Sequence, residues 1–240
     1  MIFYFSSTGN CRYVAETIAK ETADEAVSML DCLQRRKLEF PACDALGIVT
    51  PTYAWGLPDI VAVFLRHVRI RSRYTFFIAT YGTTPGNTAY FAQKYLGMKL
   101  DARFSLKMPD NFTPWFDLSD PEKVALQNEK ADVQLGTIIR RIKARKTGNF
   151  MQRVPPEFAS FIHRMAYDSL RQTSHFRVKD TCIGCGLCAK KCPVHAIEMR
   201  NGQPVWVKEK CTMCLGCLHR CPKFAIQYVA SDRHGQYQHP

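Results

Sequence analysis

Eight of the eleven cysteines fall into two copies of one spacing, each closed by a proline. The first copy is Cys182, Cys185, Cys188, Cys192 and Pro193; the second is Cys211, Cys214, Cys217, Cys221 and Pro222. Each reads C-x2-C-x2-C-x3-C-P. Four thiolates in a short run are soft ligands that suit zinc or iron–sulfur clusters and suit hard cations poorly. The spacing separates those two. Three cysteines on a tight loop with a fourth one turn later hold a cubane, whereas structural zinc takes separated pairs. The sequence therefore predicts two 4Fe-4S clusters and a chain that carries electrons.

The halves repeat beyond the cysteines. Cys192-Pro193-Val194-His195-Ala196-Ile197 aligns with Cys221-Pro222-Lys223-Phe224-Ala225-Ile226, an internal duplication. Gly184, Gly186 and Gly216 let the backbone wrap a cluster and point N–H groups at sulfur. From about Phe176 to Val229 the chain resembles the bacterial 2×4Fe–4S ferredoxins. That resemblance implies crossed ligation, in which the fourth cysteine of each run serves the other cluster. One cluster would use Cys182, Cys185, Cys188 and Cys221; the other would use Cys211, Cys214, Cys217 and Cys192.

A module of this size leaves most of the 240 residues for a second domain with its own core. No apolar run reaches the ~18 residues of a membrane span. Met1 to Phe5 has neither a basic stretch before it nor a small-residue cleavage site after it, so it reads as a first strand rather than a signal peptide. Thiols arranged for clusters imply a reducing compartment, and the cytoplasm is the expected location. The formal charge is +12. Cofactors would offset part of it, and the remainder favours redox partner proteins, acidic electron carriers among them. Lys and Arg are scattered rather than gathered into a patch, which argues against nucleic acid.

The N-terminal part repeats a different pattern. Ile2 to Phe5 is a short apolar run followed by Ser6-Ser7-Thr8-Gly9-Asn10, and Tyr13, Val14, Thr17 and Ile18 then recur at helical spacing. Such a loop at a helix start can surround a phosphate with backbone N–H groups and hydroxyls. It lacks the Lys of a Walker loop and the G-x-G-x-x-G of a dinucleotide fold. Ala45 to Val49 and Thr75 to Thr80 read as further strands. They run into Thr52-Tyr53-Ala54-Trp55-Gly56 and Tyr81-Gly82-Thr83-Thr84. Strands alternating with helices predict a parallel doubly wound α/β sheet whose ligands bind beyond the carboxyl ends of the strands.

At these residues the chain resembles the flavodoxins, over 1 to about 146. The resemblance implies a flavodoxin-like five-stranded sheet and a bound FMN. The hydroxyls of Ser6, Ser7 and Thr8 and the amides of Gly9, Asn10 and Cys11 would hold its phosphate, as in the family's T-x-T-G-N-T loop. Thr52, Tyr53, Trp55 and Gly56 match the second flavin loop, and Tyr81 and Gly82 the third. Cys11 departs from the Thr or Ser usual there, and a thiol is a weak donor. Taken whole, the chain is similar to a flavodoxin–ferredoxin fusion family of anaerobic prokaryotes. The expected division is 1–148 flavodoxin-like, 149–175 a linker with a helix, and 176–240 a small α+β two-cluster domain.

Asp120-Pro121 opens the expected last helix of the first domain, with Gly148 just past its end. Met151 to Arg171 reads as a packed linker helix, with a partner-binding amphipathic helix as the sharper option. Met108 to Phe116 is an aromatic loop suited to lie near the flavin or to act as a structural lid. Cys11 reads as a small filler of its loop, with a reactive thiol as the sharper option, and His195 and His219 as surface residues, with tuning of the adjacent clusters as the alternative. No Ser/His/Asp set and no carboxylate pair is placed for acid–base work. The favoured function is an electron-transfer iron–sulfur flavoprotein. The alternatives are an FMN-dependent reductase of a small-molecule acceptor fed by the clusters, and a two-cluster carrier with a vestigial flavin site.

Overall fold

In the computed structural model, residues 1–152, 165 and 167–239 are described. The first half alternates strand and helix: β1 (Ile2–Tyr4), α1 (Asn10–Thr22), β2 (Ala26–Ser28), α2 (Met29–Gln34), β3 (Cys43–Pro51), α3 (Asp59–His67), β4 (Ser72–Tyr81), α4 (Thr88–Leu96), β5 (Ala102–Lys107), α5 (Pro121–Lys143) and β6 (Gly148–Phe150). All six strands pair in parallel, in the order β2-β1-β3-β4-β5-β6.

The period-two alternation of the central strands explains why both faces are covered. Val49, Phe76, Ile78 and Phe104 pack against Val14 and Ile18 of α1 and Leu135 and Ile138 of α5. Leu46, Ile48, Phe77 and Ala79 face the other way, onto Val61 and Phe64 of α3 and Ala92 of α4. Each of these large side chains contributes roughly 1.5–3 kcal/mol by leaving water. The order reverses between β1 and β3, so the loops after β1, β3, β4 and β5 share one edge at the switch point. Asp120 caps α5 as expected, its Oδ1 accepting from the N–H groups of Glu122 (3.0 Å) and Lys123 (3.1 Å), with Pro121 in the first turn.

One expectation is corrected. The five-stranded sheet has a sixth strand, because Gly148–Phe150 pairs with Ala102–Phe104 of β5. The sheet thus runs two residues into the segment assigned to the linker. Gly148 reads in sequence as a helix stop, yet its φ of +134° starts an edge strand that Phe150 pins by stacking on Phe104 at 5.2 Å. Most of the predicted linker helix, including Phe158, Phe161 and Ile162, lies outside the described residues; 167–170 at its end are helical.

The second half is small. β7 (Phe176–Val178) pairs antiparallel with β10 (Ile226–Tyr228), and β8 (Ile197–Arg200) with β9 (Gln203–Trp206). Two single-turn helices, α6 (Leu187–Lys190) and α7 (Gly216–His219), each follow a cysteine loop. Their common core joins Met213, Leu215, Leu218, Ile226 and Tyr228 to Tyr167, and Tyr53, Ala54 and Phe112 of the first half pack against it. The two halves are therefore packed together through one apolar cluster. Arg171 reinforces the seam: it pairs with Asp59 of α3 and donates Nε–H to the Cys211 carbonyl at 2.7 Å. No helix among the described residues is long and apolar enough to cross a membrane.

Candidate functional site

The eight thiols sort into two sets that respect the crossed arrangement. Cys182, Cys185, Cys188 and Cys221 line one small cavity. Cys192 instead lies within electrostatic reach of Cys211, Cys214 and Cys217. The duplication is visible at each fourth cysteine, where Ala196 N–H donates to Cys192 Sγ (3.2 Å) and Ala225 N–H to Cys221 Sγ (3.3 Å). Such N–H···S bonds tune cluster potential. Burial pushes the Cys214 thiol up to about 12 and Cys217 well above its ordinary value, with neighbouring cysteines adding to both shifts. Thiols in that setting ionise only when a cation compensates them, as metal binding requires. Among the described residues, no three His, Cys, Asp or Glu side chains converge as the ligands of a single ion would.

The two loops differ in how they make the same turn. Positions two and four after the first cysteine are left-handed in both. In the first run these are Gly184 (φ +67°) and Gly186 (φ +71°); in the second they are Met213 (φ +57°) and Leu215 (φ +50°). A side chain in that region costs of order 1 kcal/mol. The second run carries that cost at two positions, and both side chains, with Cys214 between them, form part of a wall in the first half.

That wall belongs to a cavity of about 390 Å³ at the switch-point edge of the sheet, the size and place of a ligand pocket in this architecture. Ten of the twelve flavin-loop residues expected from sequence line it: Ser6, Ser7, Thr8, Asn10, Cys11, Thr52, Tyr53, Trp55, Tyr81 and Gly82. Gly9 and Gly56 do not. Gly9 precedes α1 and packs against His239, which an added Cβ would meet at 2.8 Å, and Gly56 closes the base of the Ala54-Trp55 turn. There Tyr53 and Gly56 exchange two backbone hydrogen bonds (3.0 and 2.9 Å). Ala54 and Trp55 are both left-handed, at φ +43° and +61°. Two non-glycine residues in that state are strained, and the strain sets Trp55 on the cavity wall.

The loop after β1 also uses its hydroxyls in ways the sequence does not announce. Ser6 Oγ accepts from Gly9 N–H (3.2 Å), and Thr8 Oγ1 accepts from the Asn111 amide (2.5 Å). Ser7 Oγ donates to the Cys214 carbonyl at 2.9 Å and meets Tyr53 Oη at 3.3 Å. Cys11 is buried, its thiol pushed up to about 12 by burial and bonded to Thr80 Oγ1 at 3.1 Å, so it packs rather than reacts. No side chain caps the N-terminus of α1. Its first N–H groups are therefore left for a ligand or water. The fit to a flavin phosphate rests on those amides rather than on the three hydroxyls together.

Of the two roles open to the aromatic loop after β5, the one near the expected flavin site fits its placement: Phe112, Trp115 and Phe116 line the cavity. Tyr167 and Leu170, which the sequence does not point to, arrive from the segment preceding the cysteine runs. Asp110 stands beside Gly82, where an added Cβ would meet the carboxyl at 2.1 Å, so only glycine permits this approach. The carboxyl accepts from Phe112 N–H and Thr83 Oγ1, both at 3.2 Å, yet desolvation raises its pKa. A raised carboxyl favours the fold most below its unfolded pKa near 4, and that contribution fades as pH rises through the folded value. Stability should therefore fall with rising pH just above 4, and Asp110→Asn should flatten that slope. Thermal melts of both proteins across this range test it; equal slopes would remove Asp110 as the cause.

The tail crosses back over the site. Tyr237 Oη donates to Asn10 Oδ1 (2.7 Å), His239 N–H donates to the Thr8 carbonyl (2.8 Å), and the His239 ring stacks on Tyr13 at 4.1 Å. The same tail grips the second half, where Gln236 Nε2 donates to the carbonyls of Leu218 (2.6 Å) and Cys221 (2.9 Å). His219 is a correction to its surface reading. It is 2% exposed, its Nε2 bonds the Asn111 carbonyl (2.8 Å) and its Nδ1 accepts from Tyr237 N–H (3.1 Å). Desolvation lowers its pKa to about 4, keeping it neutral. His195 is exposed as expected.

Comparison with known proteins agrees with both halves. Residues 1–126 match the family described as Flavodoxin domain, and residues 175–222 match a 4Fe-4S dicluster domain. A stretch of 32 residues is 47% identical to Ferredoxin-1 of Rhodospirillum rubrum, covering 13% of this chain and 54% of that protein. The chain thus spans about half the length of this curated relative. These matches support an electron-transfer role. With its N-terminal half matched by the family and its loops set around the switch point, the chain belongs to the flavodoxin domain family and carries a 4Fe-4S dicluster domain behind it.

Proposed function

We propose that this protein transfers electrons between two 4Fe-4S clusters and an FMN on the same chain. The observation that carries the reading is the shared wall. Met213, Cys214 and Leu215 line the same cavity as Ser6 to Thr8, Tyr53, Trp55 and Tyr81, and Ser7 Oγ ties the two at the Cys214 carbonyl. Bound clusters would supply one-electron steps and a bound flavin two-electron capacity. The chain's own part is placement. Tyr53, Trp55 and Tyr81 offer aromatic faces to a planar ring, and the start of α1 offers N–H groups to its phosphate. Met213 and Leu215 are buried on either side of Cys214 and offer it an apolar setting. The Cys211, Cys214, Cys217 and Cys192 set is the inner one, and the Cys182, Cys185, Cys188 and Cys221 set the outer.

The test is anaerobic purification with iron and flavin quantification, expected to give about eight iron atoms and one FMN per chain for two cubanes and one flavin site. Flavin well below one per chain would sink the reading and leave a two-cluster carrier. A reductase remains the second reading on one observation. Phe112, Trp115, Phe116 and Leu170 extend the cavity beyond the three flavin loops, and Trp115 is 67% exposed. That aromatic margin suits a small apolar acceptor, and turnover with such acceptors would favour it.

A further inference from the structure

The outer cysteine set reaches solvent at one thiol, and its surroundings have a definite character. Cys185 is exposed, and next to it Ile183 is 59% exposed, an apolar side chain at the tip of the first cysteine loop. Lys223 lines the same small cavity as Cys182, Cys185, Cys188 and Cys221. Lys179 is held close by, its N–H donating to the Ala225 carbonyl (2.8 Å) and its carbonyl accepting from Cys182 N–H (3.0 Å). Lys190 and Lys191 follow Cys188 at the end of α6. All four lysines are exposed. Among the described residues none of them enters an ion pair. Glu198 is paired with Arg200 at 3.0 Å, and Asp180 follows Lys179 directly in the chain.

We propose that this face is the docking surface for an acidic one-electron carrier protein, with Ile183 at its centre and Lys179, Lys190, Lys191 and Lys223 around it. The proposal rests on the electron-transfer reading above and names its external partner. Cations outside ion pairs, Lys179 among them although it lies 5.5 Å from the Phe224 ring, steer an anionic partner and orient it, while a small apolar centre supplies contact once water leaves. The inner set is the less accessible of the two, since Cys211 is buried and none of its thiols is exposed, whereas Cys185 of the outer set is. A protein suits this face better than a small anion, because the cavity here is only about 20 Å³, far below the size of a small-ligand site. Redox encounters are at the small end of protein interfaces, which matches one apolar residue within a charged rim.

The experiment uses the loaded protein and, as probe, a pre-reduced, strongly acidic bacterial ferredoxin in stopped flow. Between about 0.05 and 0.5 M salt the screening length shrinks severalfold, and the second-order rate should fall at least about tenfold. Lys179→Glu with Lys223→Glu should lower the low-salt rate about tenfold or more, and Lys94→Glu on α4 should leave it unchanged. Lys179→Ala with Lys223→Ala gives the same direction with less disturbance, and cluster absorbance confirms that each variant is loaded. Affinity for the oxidised probe, read by calorimetry, should follow the same order. A rate indifferent to salt, or an equal loss in Lys94→Glu, overturns the proposal. So does preferential capture of duplex DNA that excludes the probe. Photoreduction by a neutral dye bypasses docking: failure of cluster-to-flavin transfer there, with probe binding intact, would count against the functional reading alone.

Discussion

Cys214→Ala should leave about half the iron and almost no internal electron transfer, whereas Cys185→Ala should leave about half the iron and most of the transfer. Both substitutions remove one thiol of eight, so a chain with two equivalent clusters would respond equally to them. The structure makes them unequal. Cys214 lies on the flavin-cavity wall and its carbonyl accepts from Ser7, while Cys185 is exposed and lines only the outer cavity. With the inner set broken, transfer from the photoreduced outer cluster should fall below about 1% of wild type, a barrier rise of ~2.7 kcal/mol or more. Laser-flash reduction followed at flavin and cluster wavelengths reads both variants. Fast transfer persisting in Cys214→Ala at half iron would show that the inner set is not on the route.

Removing residues 234–240 should weaken flavin binding about thirtyfold without removing any residue that lines the flavin cavity. The tail makes at least six hydrogen bonds to the two halves, to Thr113, Leu218, Cys221, His219, Asn10 and Thr8. Each contributes about 1 kcal/mol net, and the buried Tyr237 ring adds ~2 kcal/mol. Ordering the six described residues of the tail, 234–239, opposes this with roughly 1 kcal/mol each. About 2 kcal/mol remains, close to thirtyfold in affinity if it is all expressed at the loop after β1. Tyr237→Phe, which removes only the hydroxyl on Asn10, should show a smaller loss of a fewfold. Fluorescence titration of apoprotein with FMN measures both, and unchanged affinity in the truncated protein would mean the tail does not brace the site.

What the sequence makes legible is local. The eight cysteines announce themselves because cluster ligation fixes spacings of three and four residues, and the crossed sets come with the resemblance to the two-cluster ferredoxins. The flavin loops are legible because each follows an apolar strand, and Asp120-Pro121 because capping is decided within one turn. The rest depends on contacts that span the chain. Ser7 reaches Cys214 across 207 residues and Tyr237 reaches Asn10 across 227. No periodicity records such pairs, so Ser7 reads as a phosphate ligand and His219 as a surface residue until the tail and the second half are in place. The strand Gly148–Phe150 escapes notice for another reason: three residues with Gly148 and Asn149 exposed carry no alternation to detect.

The two cysteine loops repeat one spacing but make its turn with different residues. Gly184 and Gly186 let the outer loop turn left-handed at little steric cost. Met213 and Leu215 hold the same turn against their own side chains, wedged into apolar surroundings that leave little room to rearrange. A rigid, dry setting needs little reorganisation when charge arrives, and a compliant, wet one adapts to partners of different shape. The module therefore cannot be turned end for end. Its polarity, one half yielding and one half fixed, is written into four φ angles.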